Sequence, residues 1–247
     1  MRIGLIADIH GNLVALETVL AELAREPLDH LVCLGDVAAL GPQPGEVLSR
    51  LRALQCPVVM GNTDAWLLDS PPSATMDRFD RAITQWCVER LSESDRAYIA
   101  TFAPVVELAL DGERNLLCFH GSPRSFDDVI VPTTPDTELD GMFGDGRDAR
   151  VAILAGGHTH LQMLRRYRDA HLINVGSVGL AGVGAAAQRN RDVHWAEYGV
   201  VALDGDRLDI SLRRTPLDVS RMLEVANASG MPEFEWWASL WNQRGGL

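Results

Sequence analysis

Three short apolar runs open this chain, and each ends on a carboxylate or an amide. Ile3-Gly4-Leu5-Ile6-Ala7 runs into Asp8, Leu31-Val32-Cys33-Leu34 into Gly35-Asp36, and Pro57-Val58-Val59-Met60 into Gly61-Asn62. Between the first two, Leu13, Leu16, Leu20 and Leu23 recur at the spacing of one helix face. A second helix is expected over 46–54. The resulting strand–helix–strand–helix–strand order predicts a parallel sheet with right-handed crossovers. Ligands of such sheets collect at the carboxyl ends of the strands. Asp8, Asp36 and Asn62 each stand just past such an end, so they are expected to share one site.

Further along, residues 64–103 read as helical, with a polar, proline-bearing stretch at 70–73. Runs at 105–110 and 115–119 flank Asp111-Gly112-Glu113-Arg114, a turn between antiparallel strands. Segment 124–150, rich in Asp, Pro, Thr and Gly, reads as a loop with one short helix. Strands are expected at 151–155, 162–167 and 172–175, and a hairpin at 200–203 and 208–212. Beyond Thr215 the pattern turns helical, over 217–228 and 233–241. This divides the chain into a catalytic domain, 1–214, and a helical appendage, 215–247. The appendage holds Trp236, Trp237 and Trp241, half of the six tryptophans. Packing on the core is the simplest role for them; a contact in a homo-oligomer or a lid over the cleft are the alternatives.

The charge balance narrows the partners. A net charge of −12 argues against stable binding to nucleic acid, whose phosphates call for a basic surface. It is compatible with phosphoester chemistry, because bound cations would invert the charge inside a cleft. No stretch approaches the ~20 apolar residues of a membrane span. The start of the chain lacks the charged–apolar–small order of a signal peptide, so a cytoplasmic location is expected. Cys33, Cys56, Cys87 and Cys118 are widely spaced among apolar residues and read as reduced core thiols.

Chemistry concentrates in five short motifs: Asp8-Ile9-His10, Gly35-Asp36, Gly61-Asn62, His120-Gly121 and Gly156-Gly157-His158-Thr159-His160. Four of the seven histidines fall there, while His30, His171 and His194 match no motif. In this order the motifs resemble the calcineurin-like metallophosphoesterase superfamily, and most closely its small bacterial and archaeal phosphodiesterase branch. The resemblance runs from Met1 to about Ser177. It implies an α/β fold of two mixed β-sheets packed face to face and flanked by helices. It also implies two divalent cations, drawn from manganese, iron, nickel and zinc. Asp8, His10, Asp36 and His160 would hold the first; Asp36, Asn62, His120 and His158 the second, with Asp36 as bridge. Such a pair lowers the pKa of a bridging water and clamps the phosphate. Hydrolysis by in-line attack of the bridging hydroxide follows, with Asn62, His120 and His158 stabilising the developing charge.

Two departures from the family pattern bear on the substrate. Many relatives carry His directly after the metal-binding Asn, as a general acid; here Thr63 stands in that place. Threonine cannot pass a proton near pH 7, which favours leaving groups that are already stable anions. The next residue, Asp64, reads as a helix N-cap more readily than as a substitute acid. Relatives also continue with Gln-Pro-Arg after the turn matched here by Gly176-Ser177-Val178-Gly179, where this chain is rich in Ala and Gly. Arg124, Arg189 and Arg191 are therefore alternative contacts for the substrate phosphate. The expected activity is hydrolysis of a small phosphoester, a diester first. A phosphomonoesterase or protein phosphatase is the alternative, and a non-catalytic metal-binding scaffold the third reading.

Overall fold

The computed structural model of the chain describes residues 1–69, 77–144, 148–182 and 194–241. Its first sheet has the strand order β2-β1-β8-β9. Here β1 is Arg2–Ile6, β2 His30–Cys33, β8 Trp195–Asp204 and β9 Arg207–Pro216. The second sheet, β3-β4-β5-β7-β6, is built from Val106–Ala109, Asn115–Cys118, Val151–Gly156, Ala170–Asn174 and Met163–Tyr167 in that spatial order. Strands β1 and β2 pair in parallel, as do β4 with β5 and β5 with β7; the remaining pairs are antiparallel. Both sheets are therefore mixed, as expected.

Alternation along the strands explains why the sheets stack. Ile3, Leu5, Val32, Val201 and Leu203 of the first sheet meet Leu116, Cys118, Ile153 and Ile173 of the second in one buried layer. The opposite face of the first sheet, with Ile6, Cys33 and Val200, is covered by helices. These include α1 (Leu13–Leu23), α2 (Pro44–Leu54), α4 (Arg78–Arg90) and α5 (Glu93–Ile99). The outer face of the second sheet packs Leu154, Tyr167 and Leu172 against Leu139 of α6 (Asp136–Phe143). Four layers result, helix–sheet–sheet–helix. Truncating a residue such as Leu5, buried between the sheets, would cost about 2–5 kcal/mol.

Three local readings differ from the sequence expectation. The run 57–60 is not a full strand: Val58 and Val59 make single parallel bridges, to Cys33 and Ala103. The helical stretch 64–103 is interrupted. Helix α3 (Asn62–Asp69) precedes α4, and α5 starts anew at Ser92, whose hydroxyl and Asp95 form a capping box. The polar stretch 70–73 lies outside the described residues. Finally, β8 begins at Trp195, five residues earlier than its apolar signal, and β9 continues to Pro216, past the expected domain boundary. Helices α7 (Val219–Ser229) and α8 (Phe234–Ser239) follow and contribute Met222, Ala226 and Trp237 to the same core as α1.

Candidate metal centre

All seven expected ligands converge at one edge of the sandwich. Asp8 follows β1, Asp36 follows β2, His120 follows β4, and His158 and His160 follow β5, while Asn62 opens α3. Two clusters emerge, Asp8 with His10 and His160, and Asp36 with His120 and His158. Within each, the ligand atoms lie within 4.8 Å of one another. Asp36 faces both: its Oδ2 is 3.7 Å from His10 Nε2 and 3.3 Å from His120 Nε2. Asp8 Oδ1 lies 3.3 Å from His160 Nε2.

The ring tautomers follow from the partners. His10 Nδ1 faces the Ala39 carbonyl at 3.2 Å, His120 Nδ1 that of Leu34 at 2.8 Å, and His160 Nδ1 that of Leu180 at 3.0 Å. A carbonyl can only accept, so Nδ1 carries the proton in each, and Nε2 is the nitrogen turned inward. His10 Nε2 and His160 Nε2 face each other at 3.1 Å. His120 Nε2 lies 3.0 Å from Asn62 Oδ1 and 3.3 Å from Asp36 Oδ2. Imidazole nitrogens converging on carboxylate oxygens in this way make two candidate cation sites. The donor set, imidazole with carboxylate and amide oxygen, suits a divalent transition metal.

The electrostatics are those of a buried acid–imidazole cluster. Burial pushes His10 down to about 4, against the pull of Asp36. Burial also opposes a charge on His120, but Asp36 and Asp8 outweigh it and push that imidazole up to about 10. For Asp36, burial is outweighed by His120 and His10, and the carboxyl is held well below its usual range. Burial, with His120 beside it, lowers His158.

Five of the expected ligands adopt a left-handed backbone: Asp8 (φ 55°), His10 (48°), Asp36 (55°), His158 (69°) and His160 (54°). Asp and His tolerate this region better than most residues, yet each costs about 1–2 kcal/mol. Cross-links between the loops hold it. Asp8 N–H donates to the Gly35 carbonyl at 2.9 Å and His10 N–H to that of Asp36 at 3.0 Å. The Asp8 carboxylate accepts from His158 N–H at 3.1 Å. Two glycines keep the loops close: a Cβ at Gly61 would collide with Asp36, and one at Gly157 would stand 2.7 Å from Asp8 Oδ2.

Asp64 does something the sequence reading missed. It is not the N-cap of α3 but lies in its first turn, fully buried. Its carboxylate accepts from Asp36 N–H and Val37 N–H, both at 2.8 Å, and from Gly61 N–H at 3.2 Å. It therefore straps the Asp36 loop to the Asn62 helix. Burial and the charge of Asp36 push its carboxyl up to about 7, while the bonds from Val37 and Gly61 oppose this. Asn174 and Ser177 brace the other side. The Asn174 amide bonds the Gly157 carbonyl and, at 3.0 Å, the Thr159 hydroxyl; Ser177 Oγ donates to the Asp8 carbonyl at 2.7 Å. Ser177 belongs to the turn 176–179 that the family resemblance had marked, whereas Asp64 and Asn174 had only their nearness to a motif as a signal.

The other sequence candidates are placed as follows among the described residues. Thr63 is buried, its N–H donating to Asp36 Oδ1 at 2.9 Å and its hydroxyl without a partner. Arg124 is taken up within the protein, with Nε 2.8 Å from Asp128 Oδ2 and NH1 2.9 Å from the Gly141 carbonyl. Arg189 and Arg191 lie outside the described residues. His30 is exposed at the start of β2, His171 lies near Arg166, and His194 Nε2 meets the Trp241 carbonyl at 3.1 Å.

Comparison with known proteins gives a consistent picture. Residues 1–191 match the calcineurin-like phosphoesterase superfamily domain. The sequence is 22% identical over 239 residues to an uncharacterized protein of Methanocaldococcus jannaschii, with 94% of each chain covered. The fold is similar to that of a metallophosphoesterase from Sphaerobacter thermophilus, with TM-score 0.72, 23% identity, and 97% of this chain and 98% of that one covered. It is also similar to a hypothetical protein from Pyrococcus horikoshii, with TM-score 0.81, 18% identity and 99% of both chains covered.

Proposed function

The chain belongs to the calcineurin-like phosphoesterase superfamily, and from that membership we propose that it is a binuclear metal-dependent hydrolase of small phosphodiesters. The observation that carries this reading is the pair of clusters, Asp8 with His10 and His160 and Asp36 with His120 and His158, whose ligand atoms lie within 4.8 Å of one another in each and between which Asp36 reaches both His10 and His120. Asp8, His10, Asp36 and His160 would hold one cation, and Asp36, Asn62, His120 and His158 the other. When bound, two divalent cations supply a nucleophilic hydroxide at neutral pH and compensate the charge on phosphorus oxygens. Manganese, iron, nickel and zinc all suit these donors.

The protein's own groups set the rest. His158 is the least buried of the four clustered imidazoles and so the one best placed to meet a phosphate oxygen. Asp64 and the Ala39, Leu34 and Leu180 carbonyls fix ligand orientation, which outer partners of a metal centre commonly do. Thr63 is too weak an acid to protonate a leaving group near pH 7, so diesters of acidic alcohols and phenols suit the site best. An acidic chain favours a small substrate over a polymer. Four free cysteines, three of them buried, suit a reducing, cytoplasmic setting.

A screen of the purified protein against mono- and diesters, with each metal supplied in turn, tests the proposal. Turnover of aryl diesters with two metals per chain by elemental analysis is expected. Less than one metal per chain after reconstitution, or no turnover of any ester, would refute it.

A further inference from the structure

The family match ends at residue 191, yet a tryptophan well beyond it reaches the loop that orients His10. Trp237, on α8 and 1% exposed, donates its Nε1–H to the Leu40 carbonyl at 3.2 Å. The preceding carbonyl, that of Ala39, receives His10 Nδ1 at 3.2 Å. Leu40 has φ +71°, a conformation a bulky side chain keeps only when its surroundings enforce it. That torsion sets the plane of the Ala39–Leu40 peptide. Were Leu40 to relax to negative φ, the peptide would swing and carry the Ala39 carbonyl off His10.

We propose that Trp237 is a positioning residue: it locks the Leu40 peptide, which keeps the Ala39 carbonyl on His10 and aims His10 Nε2 into the first half-site. The C-terminal helix is thus part of the metal centre's support. This rests on the reading of the site given under Proposed function. The helix is itself anchored on both sides. Trp236 stacks on Phe79 at 5.0 Å between ring centroids, and His194 Nε2 meets the Trp241 carbonyl at 3.1 Å.

The test compares the full chain with Trp237→Phe, which keeps an apolar ring but loses the N–H, and with Trp236→Phe as a control on the same helix. The imidazole nitrogen resonances of the metal-free protein, identified with a His10→Ala variant, should move for His10 in Trp237→Phe only. Titration with Mn(II) should show one site weakened about 10-fold in Trp237→Phe and the other within two-fold, the low end of the range for outer partners of a ligand. An unmoved His10 resonance, or both sites within two-fold of the unaltered protein, overturns the inference. So does an equal effect of Trp236→Phe, which would mark general loosening of the helix. If the unaltered chain binds no Mn(II), the metal reading fails, and the His10 resonance alone decides the positioning role. Should Trp237→Phe fail to fold, a benzothiophene analogue of tryptophan at position 237 removes only the N–H and is read in the same way.

Discussion

Replacing Asp64 by asparagine exchanges one oxygen for an amide nitrogen, and the structure sets what that exchange should cost. The carboxylate accepts two N–H groups on Oδ2, from Asp36 and Gly61, and one on Oδ1, from Val37. An asparagine can turn its oxygen toward the first pair, but its NH₂ then confronts the Val37 N–H, donor against donor. A hydrogen bond to a charged acceptor contributes about 1.5–3 kcal/mol, and a buried donor left without a partner costs about 1–3 kcal/mol; the two overlap, giving roughly 2–4 kcal/mol. For a chain of this size that corresponds to a fall in Tm of about 4–16 °C. The strap also fixes the loop of Asp36, the proposed bridge, so kcat/KM on an aryl diester should drop about 10–100-fold. Urea unfolding of the metal-loaded protein gives the first number and steady-state kinetics the second. Stability within about 0.5 kcal/mol of the parent, with unchanged turnover, would refute the strap.

Three further outcomes are expected. Asp36→Asn should nearly abolish turnover while leaving the circular dichroism spectrum intact, whereas His30→Ala, exposed at the start of β2, should stay within about three-fold of normal; equal losses would mean the site is misplaced. The parent rate should fall steeply as leaving-group pKa rises, and Thr63→His should recover part of the ~10²-fold that a general acid supplies, on alkyl esters only. A flat dependence with chemistry rate-limiting sinks that argument, and a uniform loss in Thr63→His would show that its buried position has no room for the ring. Burial pushes the thiols of Cys56 and Cys87 up to about 11 and about 12 and raises those of Cys33 and Cys118 too, so all four stay protonated at pH 8. Iodoacetamide at that pH should leave the native protein unlabelled and modify all four cysteines after unfolding; rapid labelling of the native form would contradict the burial.

What could be read from the chain was what is local. A polar residue at the end of an apolar run announces a loop at a strand's carboxyl end, and that sufficed to bring Asp8, Asp36 and Asn62 together. Strand β8 was cut short because it is buried on both faces over most of its length, which erases the alternation that marks a strand. Residues 57–60 looked like β2 by composition, and only the neighbours available to Val58 and Val59 limit them to single bridges. Asp64 and Trp237 were beyond reach for a different reason. Their partners lie 27 and 197 positions away, and nothing in the immediate sequence distinguishes a strap from a helix cap, or a bracing indole from a core one.

The left-handed backbone of Asp8, His10, Asp36, His158 and His160 sets stability and activity against each other at the same positions. Glycine or asparagine would sit there with less strain than the residues present. A laboratory selection for heat resistance alone, blind to turnover, should therefore drift toward exchanging the proposed metal ligands and deliver hardier proteins with an empty chemistry. Thermostabilised variants would have to be sought with these five positions held fixed, among substitutions in the outer helices and at the exposed sheet edge of β9.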